Sequence, residues 1–413
     1  MKYTFGVKNN SEFYIQHNFL PTETELRFEN VDELKKYNLG RSYLLENCLQ
    51  IPTKLLNESS LLEIGPDSGE NAYSAASMGA NVTCIDANPK SIQHLKKLFS
   101  KSRYENNLSK TYVGDYLDTY VEGKFSFVFA EGFLHSVLNK EKFVRKIESN
   151  MQIQGFFITS YYDQFSIFGD LLHSSIFRTL VKSDLGLESP YDNLEVAVDY
   201  GEDIFLKKWQ TKKHLRSLRT WILDVLLNPT MSFDRTIDTE WLLRLGNSIG
   251  LHLWQSWPNL KRFNNYEWHR DMKSPDELLE VSIQHYHDRV LENFFGILLP
   301  EPLEKTRSRS RNHDLSSKLL EINKSLSEQN WSKVSLNVKS LISDLIAEES
   351  KTPTQIFSAL KMTLAFAELF LIDDFVEIRQ ILSGQSEKFS SESIFFLGYW
   401  GHPNHYSSYR KCW

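Results

Sequence analysis

The sequence predicts an α/β fold built on a doubly wound sheet, followed by an α-helical C-terminal domain. The prediction starts from a buried strand at Leu61–Ile64, a glycine-containing loop at 65–69, a small-residue helix from Glu70 and a second strand at Val82–Ile85. Strands that alternate with helices in this way form parallel sheets covered by helices on both faces. From residue 274 onward the pattern is helical instead.

The strand, loop, helix and second strand together predict a ligand that carries a ribose. Gly65 lets the backbone approach a ligand closely, and the free N–H groups at the start of the following helix favour a negatively charged group. Asp86 ends the second strand, where a carboxylate is able to accept hydrogen bonds from ribose hydroxyls.

A nicotinamide dinucleotide suits this loop poorly. The fingerprint of that ligand is G-x-G-x-x-G, and its second and third glycine places hold Asp67 and Glu70 here. The Asp67 carboxylate would crowd and repel a pyrophosphate. Glu63 lies just before Gly65 and suits a ligand with a cationic amino group, and S-adenosylmethionine has such an amine, a sulfonium and a ribose.

These residues resemble the class I S-adenosylmethionine-dependent methyltransferases. The resemblance rests on E-x-G-P-x-S-G at 63–69 and N-A-x-x-A-A-x-x-G-A-x-V-T-x-I-D-x-N at 71–88, although most relatives have a second glycine in place of Asp67. It implies a seven-stranded Rossmann-like sheet with S-adenosyl-L-methionine as cofactor. The cofactor-binding residues expected on this basis are Glu63, Gly65, Pro66, Asp67, Ser68, Gly69, Asn71, Asp86, Ala87, Asp115, Tyr116, Glu131 and Gly132.

The apolar run at Phe125–Ala130 predicts a fourth strand next to the first, and the turn that follows it should face the methyl donor. His135 in that turn is a candidate general base that takes a proton from an acceptor hydroxyl. The alternative is a structural histidine that caps a helix or lines the cofactor pocket. Glu131 is a second catalytic candidate, with a cofactor contact or a structural role as its alternatives.

Two further contacts are expected around the cofactor. A strand at 111–113 ends just before Asp115, which the resemblance implies as the partner of the adenine amino group, and an exposed turn aspartate is the alternative. A helix at 31–49 carries Arg41 and Tyr43, which either close over the cofactor or belong to a helix that simply covers the sheet.

The acceptor is expected to be a small molecule or a sugar, methylated on oxygen. The fourth strand lacks the Asn-Pro-Pro-Tyr or Asp-Pro-Pro-Tyr run that methyltransferases of base amines commonly carry. A fifth strand is predicted at 154–160, and Tyr161 and Asp163 follow it as candidate substrate-binding residues. Packing is the alternative for both.

A helical insertion at 164–229 would form a lid over the active face. Arg219 and Trp221 are its candidate substrate-binding residues, with Asp224 nearby, and packing within a helical cap is the alternative. Together with a strand-tip Glu-Gly and the late segment Trp268–Arg270, the insertion resembles a bacterial subgroup that acts on surface sugars and small metabolites.

Two domains are predicted. Residues 1–270 form the methyltransferase domain, closed by an antiparallel pair of strands at 250–254 and 261–263. Residues 271–413 form an α-helical domain that begins with one long helix at 276–295.

A charged linker at 301–313 precedes the remaining amphipathic helices, which show no sustained repeat. These helices are a candidate surface for a protein partner or a homo-oligomer, and a rigid appendage is the alternative. The main alternative for the whole chain is a non-catalytic S-adenosylmethionine-binding or scaffold protein that acts through these helices.

The composition limits the class of partner and compartment. A net charge of -6 argues against nucleic acid as the main partner, because binding phosphates needs a basic face. The three cysteines form no spaced cluster, which fits a reducing cytosol and gives no metal-binding pattern. There is neither an apolar signal-peptide segment nor a run long enough for a membrane span, so a cytoplasmic protein is expected.

Overall fold

The sheet of the computed structural model has seven strands in the order β3-β2-β1-β4-β5-β7-β6. The strands are β1 (Ser60–Ile64), β2 (Asn81–Asp86), β3 (Leu108–Val113), β4 (Phe125–Ala130), β5 (Met151–Tyr162), β6 (Leu251–Trp257) and β7 (Asn404–Lys411). Strands β1 to β5 pair in parallel, whereas β7 runs antiparallel to both β5 and β6. This arrangement confirms the predicted fold class.

The structure describes part of the chain, and every structural statement below refers to that part. The described residues are 10–20, 28, 30–100, 102–210, 217–261, 274–296, 309–347, 354–383, 385–386 and 404–412. The predicted strand residues Arg262 and Phe263 and the segment Trp268–Arg270 lie outside these ranges.

The helices that flank the sheet or follow it are numbered in chain order. They are α1 (Asn10–Gln16), α2 (Val31–Ser42), α3 (Glu70–Ser77), α4 (Pro89–Phe99), α5 (Lys140–Asn150), α6 (Phe168–Leu185), α7 (Leu194–Trp209), α8 (Leu218–Trp221), α9 (Thr239–Ser248), α10 (Pro275–His287), α11 (Val290–Phe295), α12 (Arg309–Ser327), α13 (Trp331–Ala347), α14 (Thr354–Leu371) and α15 (Phe375–Ser383). Among the described residues, no helix combines the length and the apolar character needed to cross a lipid bilayer.

Apolar side chains of the parallel strands pack with helix α3 in one core cluster. Leu61 pairs in register with Val82 on β2 and with Phe127 on β4, and all three side chains are buried in one core cluster. Ala72 and Ala76 on α3 belong to the same cluster, because small side chains let the helix pack closely on the sheet. Because β1 pairs in parallel with both β2 and β4, the carboxyl ends of these three strands lie side by side at the same end of the sheet.

The closing strand pair differs from the prediction. The segment at 250–254 does form a strand, β6, but its antiparallel partner is β7 rather than residues 261–263. Strand β7 lies between β5 and β6, and Tyr162 pairs with Asn404 at one end of it. The last strand of the sheet therefore comes from a region that the pattern assigned to helices.

Contacts group the chain into two compact units that both draw on distant segments. The first comprises residues 1–162, 237–286 and 404–413, and the second comprises 163–236 and 287–403. Within the second unit, Asn323 Nδ2 donates to the carbonyl oxygen of Gln164 at 2.8 Å, and the rings of Phe168 and Phe294 stack at 4.2 Å. Division into domains at residue 270 remains a prediction, but contacts join the helical insertion to the later helices.

Two helix boundaries in the C-terminal half also differ from the prediction. The single helix expected at 276–295 is divided into α10 and α11, with the break at Asp288 and Arg289. The end of the predicted linker, Arg309 to His313, is the first part of α12, while residues 301–308 lie outside the described ranges.

Candidate functional site

The loop after β1 has the backbone geometry that the glycines predicted. Gly65 has φ +68° and Gly69 has φ +90°, both in the left-handed region that favours glycine. A Cβ atom on Gly65 would lie 2.9 Å from Cε1 of Phe133, so the ring of Phe133 rests directly on this glycine. Asp67 also has a positive φ, +50°, and so occupies the left-handed region, which Asp adopts more often than most residues other than glycine.

The Asp86 carboxylate ties this loop to the end of β2. Its Oδ2 accepts hydrogen bonds from Ser91 Oγ at 2.8 Å and from the Asp67 N–H at 3.3 Å, and its Oδ1 accepts from the Asn88 N–H at 2.8 Å. Burial raises the pKa of Asp86, and these hydrogen bonds act in the opposite direction. A carboxylate offers about four acceptor positions, so Asp86 still has capacity for a ligand hydroxyl.

Glu63 is the most unusual group at this edge of the sheet. It is 4% exposed, and its Oε2 has no hydrogen-bond partner among the described residues. Burial, followed by the neighbouring charge of Glu131, raises the pKa of Glu63 to about 8. A buried carboxylate oxygen without a partner costs free energy, which a ligand with an ammonium group would recover.

Arg41 and Glu131 form a buried ion pair next to Glu63. Arg41 Nη1 and Nη2 donate to the two carboxylate oxygens of Glu131, each at 2.8 Å, and the side chains are 10% and 9% exposed. Burial acts to lower the pKa of Arg41, but the charge and hydrogen bonds of Glu131 together outweigh it and raise that pKa. The guanidinium also lies 5.6 Å from the ring centre of Phe129. Both side-chain oxygens of Glu131 are therefore engaged by Arg41.

Two tyrosines complete this group, and neither was predicted from the sequence. Tyr37 on α2 donates its hydroxyl hydrogen to Asn71 Oδ1 at 2.8 Å, which engages one of the expected cofactor residues. Burial and then Glu131 raise the pKa of Tyr406, on β7, to about 12. Tyr406 reaches this group because β7 joins the sheet, and β7 was not predicted as a strand.

Hydrogen bonds to Ser160 on β5 hold the turn after β4 in place. The Gly132 N–H donates to Ser160 Oγ at 2.7 Å and to the Ser160 carbonyl oxygen at 3.1 Å, and Gly132 has φ +84°. His135 is 3% exposed, its ring meets that of Tyr162 edge-on at 4.5 Å, and its Nδ1 has no hydrogen-bond partner among the described residues. Burial and the charge of Lys140 lower its pKa to about 3.

The remaining predicted cofactor residues lie around this edge in different environments. Asp115 is exposed and its Oδ1 accepts from the Leu117 N–H at 2.8 Å, while Tyr116 is buried and donates its hydroxyl hydrogen to Asn150 Oδ1 at 2.9 Å. Ser68 is buried and its hydroxyl contacts Glu70. Pro66 is buried and Ala87 is half-buried.

Two of the predicted substrate residues, Tyr161 and Asp163, are buried. Tyr161 is fully buried, with its hydroxyl 3.3 Å from Thr239 Oγ1, and Asp163 is fully buried with Oδ1 accepting from the Phe165 N–H at 2.9 Å. Such burial fits the packing alternative for both residues.

Arg219 and Trp221 lie in the second compact unit. Arg219 is 37% exposed and pairs with the carboxylates of Glu195, Asp199 and Glu202. The Trp221 ring packs against neighbouring aromatic rings, including Trp209 at 5.4 Å. Asp224, near them in sequence, is half-buried. These contacts fit the packing alternative for Arg219 and Trp221.

Comparison with known proteins matches the sheet region to one family. Residues 62–159, which extend from β1 into β5, match the model of a methyltransferase domain. This match includes the glycine-containing loop at 65–69 and supports the predicted methyltransferase fold. No curated protein matches the chain.

Several solved structures resemble short parts of the chain. The CcbJ methyltransferase from Streptomyces caelestis is 19% identical, with 26% of this chain and 45% of that chain covered and a TM-score of 0.24. TehB from Haemophilus influenzae is 17% identical, with 27% and 38% covered and a TM-score of 0.24. The N-methyltransferase NodS from Bradyrhizobium japonicum WM9, in complex with S-adenosyl-L-homocysteine, is 14% identical, with 32% and 62% covered and a TM-score of 0.25. The chain spans about half the length of these proteins.

Proposed function

We propose that this chain is an S-adenosylmethionine-dependent methyltransferase that acts on an oxygen atom of a small-molecule or sugar acceptor. The observation that carries the proposal is the buried Glu63 carboxylate, whose Oε2 has no hydrogen-bond partner among the described residues. Of the charged groups that act on Glu63, three are carboxylates and one is the Arg41 guanidinium. This excess of negative charge favours a cationic ligand.

The residues present fit the parts of this cofactor. Glu63 would bind the ammonium group, and Asp86 would accept hydrogen bonds from the ribose hydroxyls at the end of β2. Asp115 is the proposed partner of the adenine amino group. A side chain at position 65 would meet the Phe133 ring, so glycine is what lets this ring and the cofactor loop lie so close together.

When bound, the sulfonium supplies a methyl group that is already activated for transfer to a nucleophile. The task of the chain's own residues is to align the acceptor with the methyl group, and such positioning contributes much of the rate enhancement in two-substrate reactions. A neutral His135 with a pKa of about 3 is a weak proton acceptor, and both oxygens of Glu131 bind Arg41. We therefore propose that alignment dominates and that the acceptor proton passes to solvent.

The environments of His135 and Glu131 favour a second candidate function. With His135 and Glu131 unsuited to proton transfer, a protein that binds the cofactor without catalysis remains the alternative. The two candidates differ in a simple measurement. An enzyme consumes methyl-labelled S-adenosylmethionine when it is incubated with a fractionated pool of metabolites and sugars, whereas a cofactor-binding scaffold leaves the label in place.

Isothermal titration calorimetry of the full chain tests the cofactor assignment. We expect binding of S-adenosylmethionine and S-adenosylhomocysteine, and at least a tenfold loss of affinity for Glu63→Gln, because a hydrogen-bonded charged pair contributes about 1.5–3 kcal/mol. The matched control is Glu122→Gln, which removes an exposed carboxylate on the loop before β4. Absence of binding of either ligand to the wild-type chain would refute the proposal.

A second readout uses the proton on Glu63. Since the pKa of Glu63 is raised to about 8, the carboxyl group is mostly protonated at pH 7 in the free protein. An ammonium group next to it favours the carboxylate, so binding should release close to one proton. The binding heat should therefore depend on the ionisation enthalpy of the buffer, and this dependence should vanish in Glu63→Gln.

A further inference from the structure

A cavity of about 190 Å³ lies beside β6, the last strand in the order of the same sheet. It is bordered by α9, the start of β6, α10 and the residue that follows β7. Leu251 pairs with Lys411, whereas Tyr162 pairs with Asn404, so the start of β6 and the end of β7 lie at the amino-terminal end of the parallel strands. The methyl-donor site is at the carboxyl-terminal end, and the two sites are therefore separate.

Most of the cavity wall is apolar. Leu243 on α9, Leu253 on β6, and Leu278 and Leu279 on α10 line it. An apolar cavity of about 150 Å³ is large enough to hold one benzene ring. The size and lining of this cavity thus suit a single aromatic ring or a short aliphatic chain.

One charged group faces this apolar wall. The Lys261 ammonium has no ion pair or hydrogen bond with any residue in the described ranges. Burial lowers the pKa of Lys261. Burial, and then the charge of Lys261, also lowers the pKa of His252, so the two side chains share one environment.

The acidic group that acts on this environment is engaged elsewhere. Asp276 acts to raise the pKa of His252, but its Oδ1 accepts a hydrogen bond from Asn247 Nδ2 at 2.8 Å. The Asn247 Oδ1 in turn lies 2.8 Å from His252 Nδ1. Among the described residues that line the cavity, none supplies a carboxylate to Lys261.

We propose that this cavity binds a small carboxylate with an apolar body, such as an aromatic carboxylate, with the Lys261 ammonium as its charge partner. A partly desolvated cation is costly when it stands alone and is stabilised by an anion that brings its own apolar surface. The proposed ligand is distinct from the cofactor and the methyl acceptor, because the cavity and the methyl-donor site lie at opposite ends of the strands.

Benzoate and benzamide form the matched pair of probes, because they differ little in shape and benzamide has no charge. Both are titrated into the full chain in the presence of saturating S-adenosylhomocysteine, with ligand-observed NMR or calorimetry as readout. We expect benzoate to bind roughly tenfold more tightly than benzamide, as for other hydrogen bonds to charged groups. Lys261→Gln should abolish that difference, while Lys110→Gln, an exposed lysine on β3, should preserve it.

Cys412 provides a readout that locates the ligand. This exposed thiol lines the cavity, whereas the half-buried Cys48 lies in another part of the first unit. Benzoate should slow the alkylation of Cys412 by iodoacetamide several-fold and leave Cys48 unchanged. Equal affinity for the two probes, a benzoate preference that survives Lys261→Gln, or unchanged alkylation of Cys412 would each overturn the proposal.

Discussion

The two ends of the central sheet treat buried charge in opposite ways. At the carboxyl ends of the strands, the Arg41–Glu131 pair is fully hydrogen-bonded and Glu63 remains as surplus acid beside it. At the amino ends, the Lys261 ammonium faces an apolar cavity without an acidic partner among the described residues. This difference in charge is the basis of the two proposals, a cationic ligand near Glu63 and an anionic ligand near Lys261.

The largest expected effect comes from breaking the paired end. Arg41→Ala leaves the Glu131 carboxylate buried and alone, and we expect a loss of about 3–5 kcal/mol in the free energy of unfolding, as for other broken buried pairs. Urea unfolding at pH 7 measures it. The double variant Arg41→Met with Glu131→Gln should recover most of that loss. A loss below about 1 kcal/mol for the single variant would show that the pair is not desolvated as the structure has it.

Much of the fold could be predicted because its signals are local. The apolar runs of β1, β2 and β4 and the glycine loop between β1 and α3 are each readable within a short segment. Strand β7 was missed because its residues are mostly polar and aromatic, and because its partners are distant in sequence. Ser160 pairs with Tyr406, and no local pattern encodes a pairing over that separation.

The candidate site likewise contains residues with a local sequence signal and residues that only the fold brings together. Glu63, Gly65 and Asp86 could be predicted because they belong to one continuous motif. The bidentate bond between Arg41 and Glu131 depends on how α2 packs over the sheet, which sequence spacing does not determine. His135 could be singled out by its place in the turn after β4. Its burial and lowered pKa could not be foreseen, because they depend on packing between distant segments.

The second prediction concerns Glu63 and the dependence of stability on pH. The unfolded chain releases the Glu63 proton near the ordinary pKa of 4.5, whereas the folded chain keeps it up to about pH 8. The free energy of unfolding should therefore fall as the pH rises from about 4.5 to 8, by a few kcal/mol in total. Denaturation across this range should show a clearly flatter profile for Glu63→Gln. Profiles of equal slope would mean that Glu63 is ionised in the folded protein.

The third prediction separates a structural His135 from a catalytic one. The folded chain keeps this histidine neutral down to about pH 3, while the unfolded chain protonates it at the ordinary pKa of 6.5. His135→Phe should therefore raise the free energy of unfolding by about 2 kcal/mol at pH 5 and change it little above pH 7. Its rate of methyl transfer should fall by less than about tenfold, whereas removal of a general base costs about 100-fold or more.

The smallest expected effect is at the unpaired end, and its sign is opposite to that of Arg41→Ala. Lys261→Met removes a cation whose pKa is lowered by burial, so we expect the free energy of unfolding at pH 7 to stay equal or rise by up to about 1 kcal/mol. Urea unfolding in the absence and presence of benzoate measures both halves of the comparison. Benzoate should stabilise the wild-type chain clearly more than Lys261→Met, because the charged part of its binding acts through the ammonium group. A loss of about 2 kcal/mol or more without ligand would mean that Lys261 already has a partner within the protein, because removing one partner of a buried charged pair is strongly destabilising.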